Sequence, residues 1–587
     1  GMARNDRMPF IYSSVLVLLC VVFYFLTGSF KLRDKISTLF LMAALILSMY
    51  LNPLDAVWHG FNNPVGFPWR YSYFLTLLMI LTGYRFFSEF TKKSEELLIK
   101  GKTFLAAALI FLLYFVFLLV TVNPYFDKER AILNILLTFV YILLFFMLLK
   151  REALEKRIRH SSRLFIPLIF ILLFGELTYN SCISFYSLNG DGEELSVFNE
   201  KYDEIKASVD YIKSRDDSLY RLEKDFYRTP NDPMMFDYIG LTHSSSCEKE
   251  YIRHFLSRWG FRDTGLYAFY NLGSTSFADS FLGVKYYISR FDQIHKPYYY
   301  LDQCENHFAY LNPYALGFMS LAPKALEEVD LNSGNTFELQ NNIANAYGKY
   351  DIYQKADYEI ELENVTMTEE KGLLKFNVNS EEASFNSEGP ENTESLVHFN
   401  IDIKKEGSLY YFFDAPQMQA AEVFVNGDYR EPYFTTTNWS VLCAGIYKPG
   451  DKVDVCLKLN EEAISISQAC FYYEDTKALS SWYEKASEGN AELKEITSSH
   501  LKGSIRASKD DIILFSIPYE EAWNIKINGK KGEKIPLLKE LLAVKVPDSG
   551  ELVIEMQYIP SGLLPGIIIS ILGIALLLLL WIREKNN

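Results

Sequence analysis

The sequence predicts a polytopic α-helical membrane protein of about seven spans with a large extracytoplasmic region of mixed α/β and β-sandwich structure. Three observations support this fold class. Hydrophobic residues make up 49% of the 587 residues and aromatic residues 16%. Near-continuous apolar runs recur along the chain, and a long polar block with strand-like alternation separates the last run from the others.

The apolar runs set the number of predicted spans. They lie roughly at residues 10–29, 37–51, 71–88, 103–122, 131–149, 162–179 and 562–582. Several approach the ~20 residues that a helix needs to cross a ~30 Å hydrocarbon layer. The second run is the shortest, because Leu39 to Leu51 needs flanking residues to complete a crossing.

Basic residues predict the orientation. Lysine and arginine are concentrated in the loops after the first, third and fifth runs and in the tail after the seventh, whereas residues 52–70 and 123–130 hold far fewer. The positive-inside rule therefore puts the C-terminus in the cytoplasm and the large polar block on the outer side of the membrane. The N-terminus would also lie outside, although Arg4 and Arg7 stand there. We interpret the chain as the C-terminal part of a longer membrane protein.

Pattern changes along the polar block predict its domains. Helical spacing in "FNEKYDEIKASVDYIKSR" and a buried strand in "FLGVKYYISR" indicate an α/β region, and short alternating strands with Asn-Gly turns follow it. The predicted domains are a six-span domain at 1–180, a mixed α/β domain at 181–345, a β-sandwich at 346–485, a second small all-β domain at 486–560, and a C-terminal transmembrane helix with its cytoplasmic tail at 561–587. The sheets either bind glycans through aromatic faces or serve as spacers.

A short polar loop between the second and third runs is the main candidate site. It reads "HGFNNPVGFPWRYSY" from His59 to Tyr73. Arg70 would lie at the membrane boundary, where a guanidinium can pair bidentately with a lipid phosphate, while His59, Asn62 and Asn63 add hydrogen-bonding groups for an attached sugar. The alternative is a snorkelling arginine beside an aromatic anchor.

Other polar residues provide weaker candidates. Glu176 lies in the sixth run, where an acid at membrane depth indicates a supporting role or an internal partner, unless it already reaches water. Asp263, Asp279 and Asn312 cluster in sequence without the spacing of a metal or nucleophile site. We assign no catalytic residue and no metal ligand from spacing, and the net charge of −15 argues against a nucleic-acid partner.

An ordered series of segments resembles a known family. The series comprises "MPFIY", "KLRDK", "WHGFNNPVGFPWRYSY", "LGVKYYI", "YALGFM", "NTFELQNNI" and "YIPSGLLPGIIIS". Together these look like the C-terminal two thirds of the YfhO family of bacterial membrane proteins. The resemblance covers nearly the whole chain, and the order of the segments is more specific than any one of them.

The resemblance implies a GT-C-like fold and a glycosyltransferase. Such enzymes move a sugar from a polyprenyl-phosphate carrier, a membrane lipid, to a cell-surface polymer such as lipoteichoic acid on the outer face. An acidic residue would assist deprotonation or position a divalent metal, and cations would stabilise the departing phosphate. In GT-C enzymes the key acid follows the first span, a region that this chain does not match. Arg70, with His59 nearby, is the expected lipid-phosphate position.

Two other functions remain open on the sequence alone. The first is a non-catalytic, membrane-anchored protein of the cell envelope that binds glycans or acts as a scaffold through its outer β-domains. The second is a lipid or polymer transporter, which is disfavoured because the spans hold few ionisable residues apart from Glu176.

Overall fold

The computed structural model describes residues 11–62, 69–92, 101–120, 128–150, 162–187, 193–245, 249–265, 268–270, 273–379, 394–434, 440–488, 491–497 and 499–586. The chain divides into two compact units, Gly1–Glu193 and Glu194–Asn587. The first unit is helical and the second is rich in β-strands.

Helices form at each of the first six apolar runs. The helices of the first unit are α1 (Val15–Leu26), α2 (Leu32–Tyr50), α3 (Asn52–Trp58), α4 (Ser72–Lys92), α5 (Gly101–Val120), α6 (Lys128–Leu149) and α7 (Ser162–Ser187). By length and composition, three segments among the described residues could cross a membrane: Ile132–Leu149, Phe165–Tyr186 and Leu563–Lys585. The bent pair α2 and α3 is a fourth if it forms one span. Seven crossings therefore remain a prediction.

Helix α1 lies in the core of the first unit. Leu19 and Phe23 are fully buried, and the Phe23 ring lies 5.4 Å from the ring of Phe86 on α4. A glycine lets these two helices approach closely: a Cβ on Gly83 would lie 3.3 Å from the Cβ of Cys20. Small residues at crossings are a usual means of packing helices in membranes, where apolar burial from water is no longer available.

A sharp bend separates α2 from α3. Their axes differ by 103° across Leu51. Pro53 stands in the first turn of α3, where the missing N–H costs nothing, and it disfavours continuation of α2 through Asn52. The bend turns the polar end of the predicted second span back toward the start of α4.

The second unit combines helices with many short strands. Its helices are α8 (Leu195–Lys213), α9 (Asp232–Phe236), α10 (Glu250–Arg258), α11 (Ser276–Phe281), α12 (Thr336–Tyr347), α13 (Thr476–Ser487) and α14 (Leu563–Asn586). Its first strands are β1 (Arg221–Lys224), β2 (Arg262–Asp263), β3 (Ala268–Phe269), β4 (Val284–Ser289), β5 (Tyr299–Cys304), β6 (His307–Leu311), β7 (Met319–Ala322) and β8 (Tyr353–Lys355). A sheet of order β1-β4-β6-β5, with β1 parallel to β4, forms the α/β part.

The remaining strands form two further β-regions. The first comprises β9 (Glu359–Glu363), β10 (Val365–Glu370), β11 (Leu373–Val378), β12 (Leu396–Asp402), β13 (Gly407–Asp414), β14 (Ala421–Val425), β15 (Asp428–Tyr433), β16 (Leu442–Tyr447), β17 (Lys452–Leu459), β18 (Ala463–Ile466) and β19 (Gln468–Glu474). The second comprises β20 (Glu492–Thr497), β21 (His500–Ala507), β22 (Ile512–Pro518), β23 (Trp523–Ile527), β24 (Lys530–Lys531), β25 (Lys534–Leu537), β26 (Leu541–Lys545) and β27 (Gly550–Tyr558).

Strand β13 contributes side chains to two hydrophobic cores, one on each face of its sheet. The sheets β15-β14-β17-β12-β9 and β16-β13-β19-β8 pack face to face, and Tyr411 and Phe413 lie in the core between them. Tyr410 and Phe412 point to the opposite face and pack with Phe337 of α12. Side chains alternate between the two faces of a strand, and both faces of this sheet are covered. The residues of β13 that point to either face are therefore apolar.

The last β-region contains a strand from much earlier in the chain. Sheet β25-β26-β22-β7 includes β7, which pairs with β22 so that Met319 lies opposite Phe515. This sheet packs on sheet β20-β21-β27-β23-β24. The hairpins predicted from Asn-Gly are present: Asn426 and Asn528 both have φ of 50°, a left-handed conformation that asparagine tolerates and that tight hairpin turns require.

Helix α14 exposes apolar side chains around its circumference. None of the span Leu563–Lys585 is buried by protein, and leucines and isoleucines such as Ile569 and Leu577 are 68% and 67% exposed. A helix with this composition needs an apolar environment on all sides, which a lipid bilayer supplies.

Candidate functional site: the bend between α2 and α3

A fully buried carboxylate lies at the bend. Asp55, in the first turn of α3, has no exposed surface. Its Oδ1 accepts a hydrogen bond of 3.0 Å from the hydroxyl of Tyr71, which is itself buried just before α4. A buried acid is costly unless it is hydrogen-bonded or paired, so this contact holds the start of α4 against α3.

His59 stands one helical turn after Asp55. Its Nε2 lies 3.6 Å from Asp55 Oδ1, and the side chain is 15% exposed. Nε2 is buried and makes no hydrogen bond within 3.5 Å to any residue that the structure describes. The spacing of four residues puts both side chains on one face of α3, so the carboxylate can orient and stabilise the imidazole.

Aromatic rings enclose the Asp55–His59 pair on one side. The ring of Trp58 stacks on Tyr71 with centroids 4.7 Å apart and an interplanar angle of 14°, and the His59 ring centroid lies 6.1 Å from that of Tyr71. Trp58 is 45% exposed, so its outer face remains open to a ligand or to lipid. This half-covered geometry suits an amphipathic ligand at an interface.

The loop after α3 is held in a costly conformation at both ends. Phe61 has φ of 66° and Trp69 has φ of 59°. A bulky residue in the left-handed region costs about 1–3 kcal/mol, and such residues cluster at functional sites. Arg70 follows Trp69 directly and is exposed, next to Tyr71.

The predicted site residues are only partly brought together. His59 joins Asp55 and Tyr71, and Arg70 adjoins Tyr71 in the chain. Asn62 is exposed, and its backbone N–H donates to the His59 carbonyl. Asn63 lies outside the described residues. Of the four residues predicted for this site, the structure therefore describes His59, Asn62 and Arg70.

Glu176 has a different environment from the loop. It is 6% exposed in α7; its Oε1 accepts from the Tyr12 hydroxyl at 2.7 Å and from the Val15 backbone N–H at 2.6 Å, and its Oε2 accepts from the Tyr141 hydroxyl at 3.0 Å. Val15 is the first residue of α1, so the Glu176 carboxylate accepts from an N–H that has no partner within the helix. It also interacts favourably with the positive end of the helix dipole. These contacts explain how a carboxylate is tolerated at this depth.

The polar residues of the α/β region do not form one site. Asp263 binds the guanidinium of Arg253, with one contact at 2.5 Å. Asp279 accepts from Tyr270, Ser274, Lys296 and Tyr298. Asn312 donates to the Val284 carbonyl at 3.0 Å and to Ser280 at 3.3 Å. Each of these polar groups is occupied by its own internal partners, which stabilise the fold of the α/β region.

The sequence interpretation missed Asp55 and Tyr71. Asp55 lies between two apolar segments and by itself predicts no site. Its spacing of four residues from His59, which places both side chains on one face of a helix, is the signal that could have identified it. Tyr71 gave no signal, since only the bend brings it back to Asp55. Within the part of the chain that the structure describes, no group of three histidine, cysteine, aspartate or glutamate side chains is arranged to hold a metal ion.

Two solved structures show a weak likeness to this chain. A family 35 carbohydrate binding module from Clostridium thermocellum is 12% identical and covers 21% of this chain and 98% of the module, with a TM-score of 0.15. A GH2 β-galacturonidase from Eisenbergiella tayi bound to galacturonate is 11% identical over 35% of this chain and 38% of the enzyme, with a TM-score of 0.14. These scores are too low to establish a shared fold.

Sequence comparison is decisive for the family. A Bacillus subtilis (strain 168) protein described as "Uncharacterized protein YfhO" is 22% identical over 614 positions, which cover 99% of this chain and 67% of that protein. The family model described as "Bacterial membrane protein YfhO" matches residues 2–570. With its candidate spans, this match places the chain in a bacterial membrane. The chain belongs to the YfhO family of bacterial membrane proteins.

Proposed function

We propose that the chain is the C-terminal part of a GT-C-type membrane glycosyltransferase that moves a sugar from a polyprenyl-phosphate carrier to a cell-surface polymer such as lipoteichoic acid. The reaction would take place on the outer face, at the bend between α2 and α3. The observation that carries the proposal is the fully buried Asp55 carboxylate, held by Tyr71 and 3.6 Å from His59, in the same segment as the exposed Arg70.

The Asp55–His59 pair supplies the base for this reaction. The acceptor hydroxyl attacks the anomeric carbon of the sugar, and its proton passes to His59 Nδ1, which makes no hydrogen bond to any described residue. Asp55 Oδ1 lies 3.6 Å from Nε2, and shortening of this distance to a hydrogen bond would orient the imidazole and stabilise the imidazolium that forms. The aromatic rings of Trp58 and Tyr71 exclude water from one side of the pair.

Arg70 serves the leaving group. As the new bond from the acceptor oxygen to the anomeric carbon forms, the bond from that carbon to the phosphate oxygen breaks, and negative charge develops on the polyprenyl phosphate. A guanidinium at the interface can donate two parallel hydrogen bonds to that phosphate. Its exposure next to Tyr71 leaves it within reach of a lipid headgroup.

A divalent metal is compatible with the family resemblance, and the proposed steps do not depend on one. The bend provides one carboxylate and one imidazole, and no described group of three acidic, histidine or cysteine side chains fits a metal ion. Oxygen-rich coordination of magnesium or calcium would need further ligands. The proposed proton transfer and phosphate stabilisation use only residues of this chain.

The test is sugar transfer by the full-length protein in membrane vesicles supplied with a polyprenyl-phosphate sugar and purified lipoteichoic acid. Asp55→Asn and His59→Gln should each lower the rate by about 10²-fold or more, the usual size of a general-base contribution. Arg70→Ala should also abolish transfer, and Arg70→Lys should restore it only in part.

Matched controls lie in the same helical unit. Asp34→Asn and Arg85→Lys alter an acid and a base that form an exposed ion pair with each other, 2.8 Å apart, and should leave transfer unchanged. Normal transfer by correctly inserted Asp55→Asn protein would refute the proposal.

A second candidate function rests on the first β-sandwich. A polar groove of about 600 Å³ lies on sheet β15-β14-β17-β12-β9 and is lined by side chains that include Asn400, Lys452 and Asp454. Asp454 binds His398 at 2.9 Å through Oδ2, whereas its buried Oδ1 makes no hydrogen bond to a described residue. A sugar hydroxyl could satisfy that oxygen, which supports a non-catalytic glycan-binding protein.

Binding and transfer separate the two functions. If the protein only binds glycans, Asp454→Ala should weaken retention of purified lipoteichoic acid by the full-length protein. The unmodified protein would then show no sugar transfer. The exposed Asp548→Ala, on the other β-region, is the control. Loss of transfer with unchanged polymer binding in Asp55→Asn would favour the enzyme.

A further inference from the structure

A buried arginine in the second unit has more hydrogen-bond donors than partners. Arg221 on β1 is 6% exposed. Its Nη1 donates to the Leu282 carbonyl and, at 3.0 Å, to Ser516 Oγ, and its Nη2 donates to the Ser516 carbonyl. The ring of Phe318 lies 4.5 Å from the guanidinium carbon. A guanidinium has five N–H donors, so these three bonds leave two, one of them the buried Nε–H, which has no partner among the described residues.

The positive charge of Arg221 also lacks a direct counter-ion. No described carboxylate forms an ion pair with it, and its partners are two carbonyls and a hydroxyl. Burial lowers the pKa of the Arg221 guanidinium to about 10, and the charge of Glu223 opposes that shift from a longer distance. An uncompensated buried cation is costly, so an anionic ligand at this position would relieve both the charge and the unmade hydrogen bonds.

A cavity opens onto this guanidinium. It has a volume of about 170 Å³, and Arg221 and Ser516 form part of its wall. Most of the remaining wall is apolar and includes Leu241, Ile252, Phe255, Leu256, Leu282 and Leu541. Drug-sized ligands need pockets of about 300 Å³ or more, so only a small molecule fits here.

Two other polar side chains line the cavity without cancelling the charge. Burial lowers the pKa of the His243 imidazole, which favours its neutral form. Glu540 also lines the cavity, and among the described residues its carboxylate forms no ion pair with Arg221. The cavity therefore has one cationic corner and a mainly apolar body.

We propose that this cavity binds a small monocarboxylate with a short, branched apolar body. Its carboxylate would accept from the free N–H groups of Arg221 and from the Ser516 hydroxyl, and its hydrocarbon part would lie against Leu241, Phe255 and Leu541. A carboxylate matches the single guanidinium charge, whereas a phosphate monoester carries about −1.5 to −2 at neutral pH and would remain partly unneutralised. The site is independent of the bend in the first unit and of the transfer proposed there.

The experiment measures binding of isovalerate to the full chain in detergent micelles by calorimetry. The matched probe is 3-methylbutan-1-ol, which has the same carbon skeleton without the charge. We expect saturable binding of isovalerate at least tenfold tighter than that of the alcohol. Ser516→Ala should weaken isovalerate binding by about tenfold, as loss of a hydrogen bond to a charged group does. Equal binding of acid and alcohol would mean that only apolar contacts matter, and would overturn the proposal.

Two further variants guard against misfolding as an explanation. Ile252→Trp fills the cavity from a partly exposed position and should abolish isovalerate binding while leaving Arg221 intact. Ile446→Trp adds the same bulk at a side chain that is 53% exposed on β16, and should bind normally. Undiminished binding by folded Ile252→Trp protein would place the ligand elsewhere, and absence of isovalerate binding to the unmodified chain would refute the site.

Discussion

The Tyr71 hydroxyl donates a hydrogen bond of 3.0 Å to the buried carboxylate of Asp55, across the bend between α2 and α3. This contact joins residues sixteen positions apart and lies beneath the Trp58 ring. Tyr71 therefore stabilises the carboxylate of the proposed Asp55–His59 pair, because removal of the Tyr71 hydroxyl would leave the buried Asp55 with one hydrogen-bond donor fewer.

We therefore expect Tyr71→Phe to destabilise the helical unit by about 1–3 kcal/mol, the cost of removing a donor from a buried charged group. Thermal unfolding of the full-length protein in detergent, followed by accessibility of Cys20, measures this change. Tyr73→Phe is the control because Tyr73 is 58% exposed. An equal effect of both substitutions would contradict the assigned role of Tyr71.

Glu176 is expected to act on stability. Glu176→Gln removes the charged acceptor of Tyr12, Val15 and Tyr141 and should lower the unfolding free energy by about 1–3 kcal/mol. Sugar transfer per folded molecule should be unchanged, measured beside the exposed control Glu200→Gln. Stable Glu176→Gln protein that has lost transfer would instead show that Glu176 is the supporting acid of the reaction.

The crossing of α1 and α4 should not accept a large side chain. Gly83→Leu would force atoms into the space occupied by Cys20 and by the Val17 carbonyl, both 3.3 Å from the position of a Cβ. Overpacking of this kind costs about 1–3 kcal/mol. Gly175→Leu is the matched control, since nothing lies within 4 Å of its Cβ position. Resistance to unfolding in mild detergent measures both variants, and tolerance of Gly83→Leu would contradict the packing.

The second unit should lose stability as pH rises toward neutrality. Burial raises the pKa of the Glu474 carboxyl from 4.5 to about 7. The folded state therefore binds more protons than the unfolded state between these pH values, so the free energy of unfolding falls with rising pH across this window, by up to ~3 kcal/mol, and is independent of this group above it.

Glu474→Gln should reduce that slope by the part that Glu474 contributes. Thermal unfolding of the full chain from pH 4.5 to pH 7.5, followed by fluorescence of the buried Trp482, measures it. Glu406→Gln, at an exposed position, should keep the slope of the unmodified chain. An unchanged slope in Glu474→Gln would assign the pH dependence to other buried acids, such as Glu223, whose pKa burial also raises to about 7.

Local features could be predicted because they depend on neighbouring residues. Apolar runs became helices, and Asn426-Gly427 and Asn528-Gly529 became hairpin turns, since the required left-handed backbone is a property of those residues alone. The composition of the segment from His59 to Arg70 also marks it as a candidate site, and that assignment stays a prediction. Asp55 was missed because its part in the candidate site depends on its burial. Its position between two apolar runs does not predict that burial.

The sequence by itself determined the membrane class, the β-rich region and the loop that holds His59 and Arg70. Only the tertiary structure decided which distant groups meet: Asp55 with Tyr71, Glu176 with Val15, and Arg221 with Ser516, which lies 295 residues away. The physical reason is that local propensity and periodicity act over a few residues, whereas a buried charge is satisfied by whichever donor or acceptor the packing of the whole unit brings within about 3 Å.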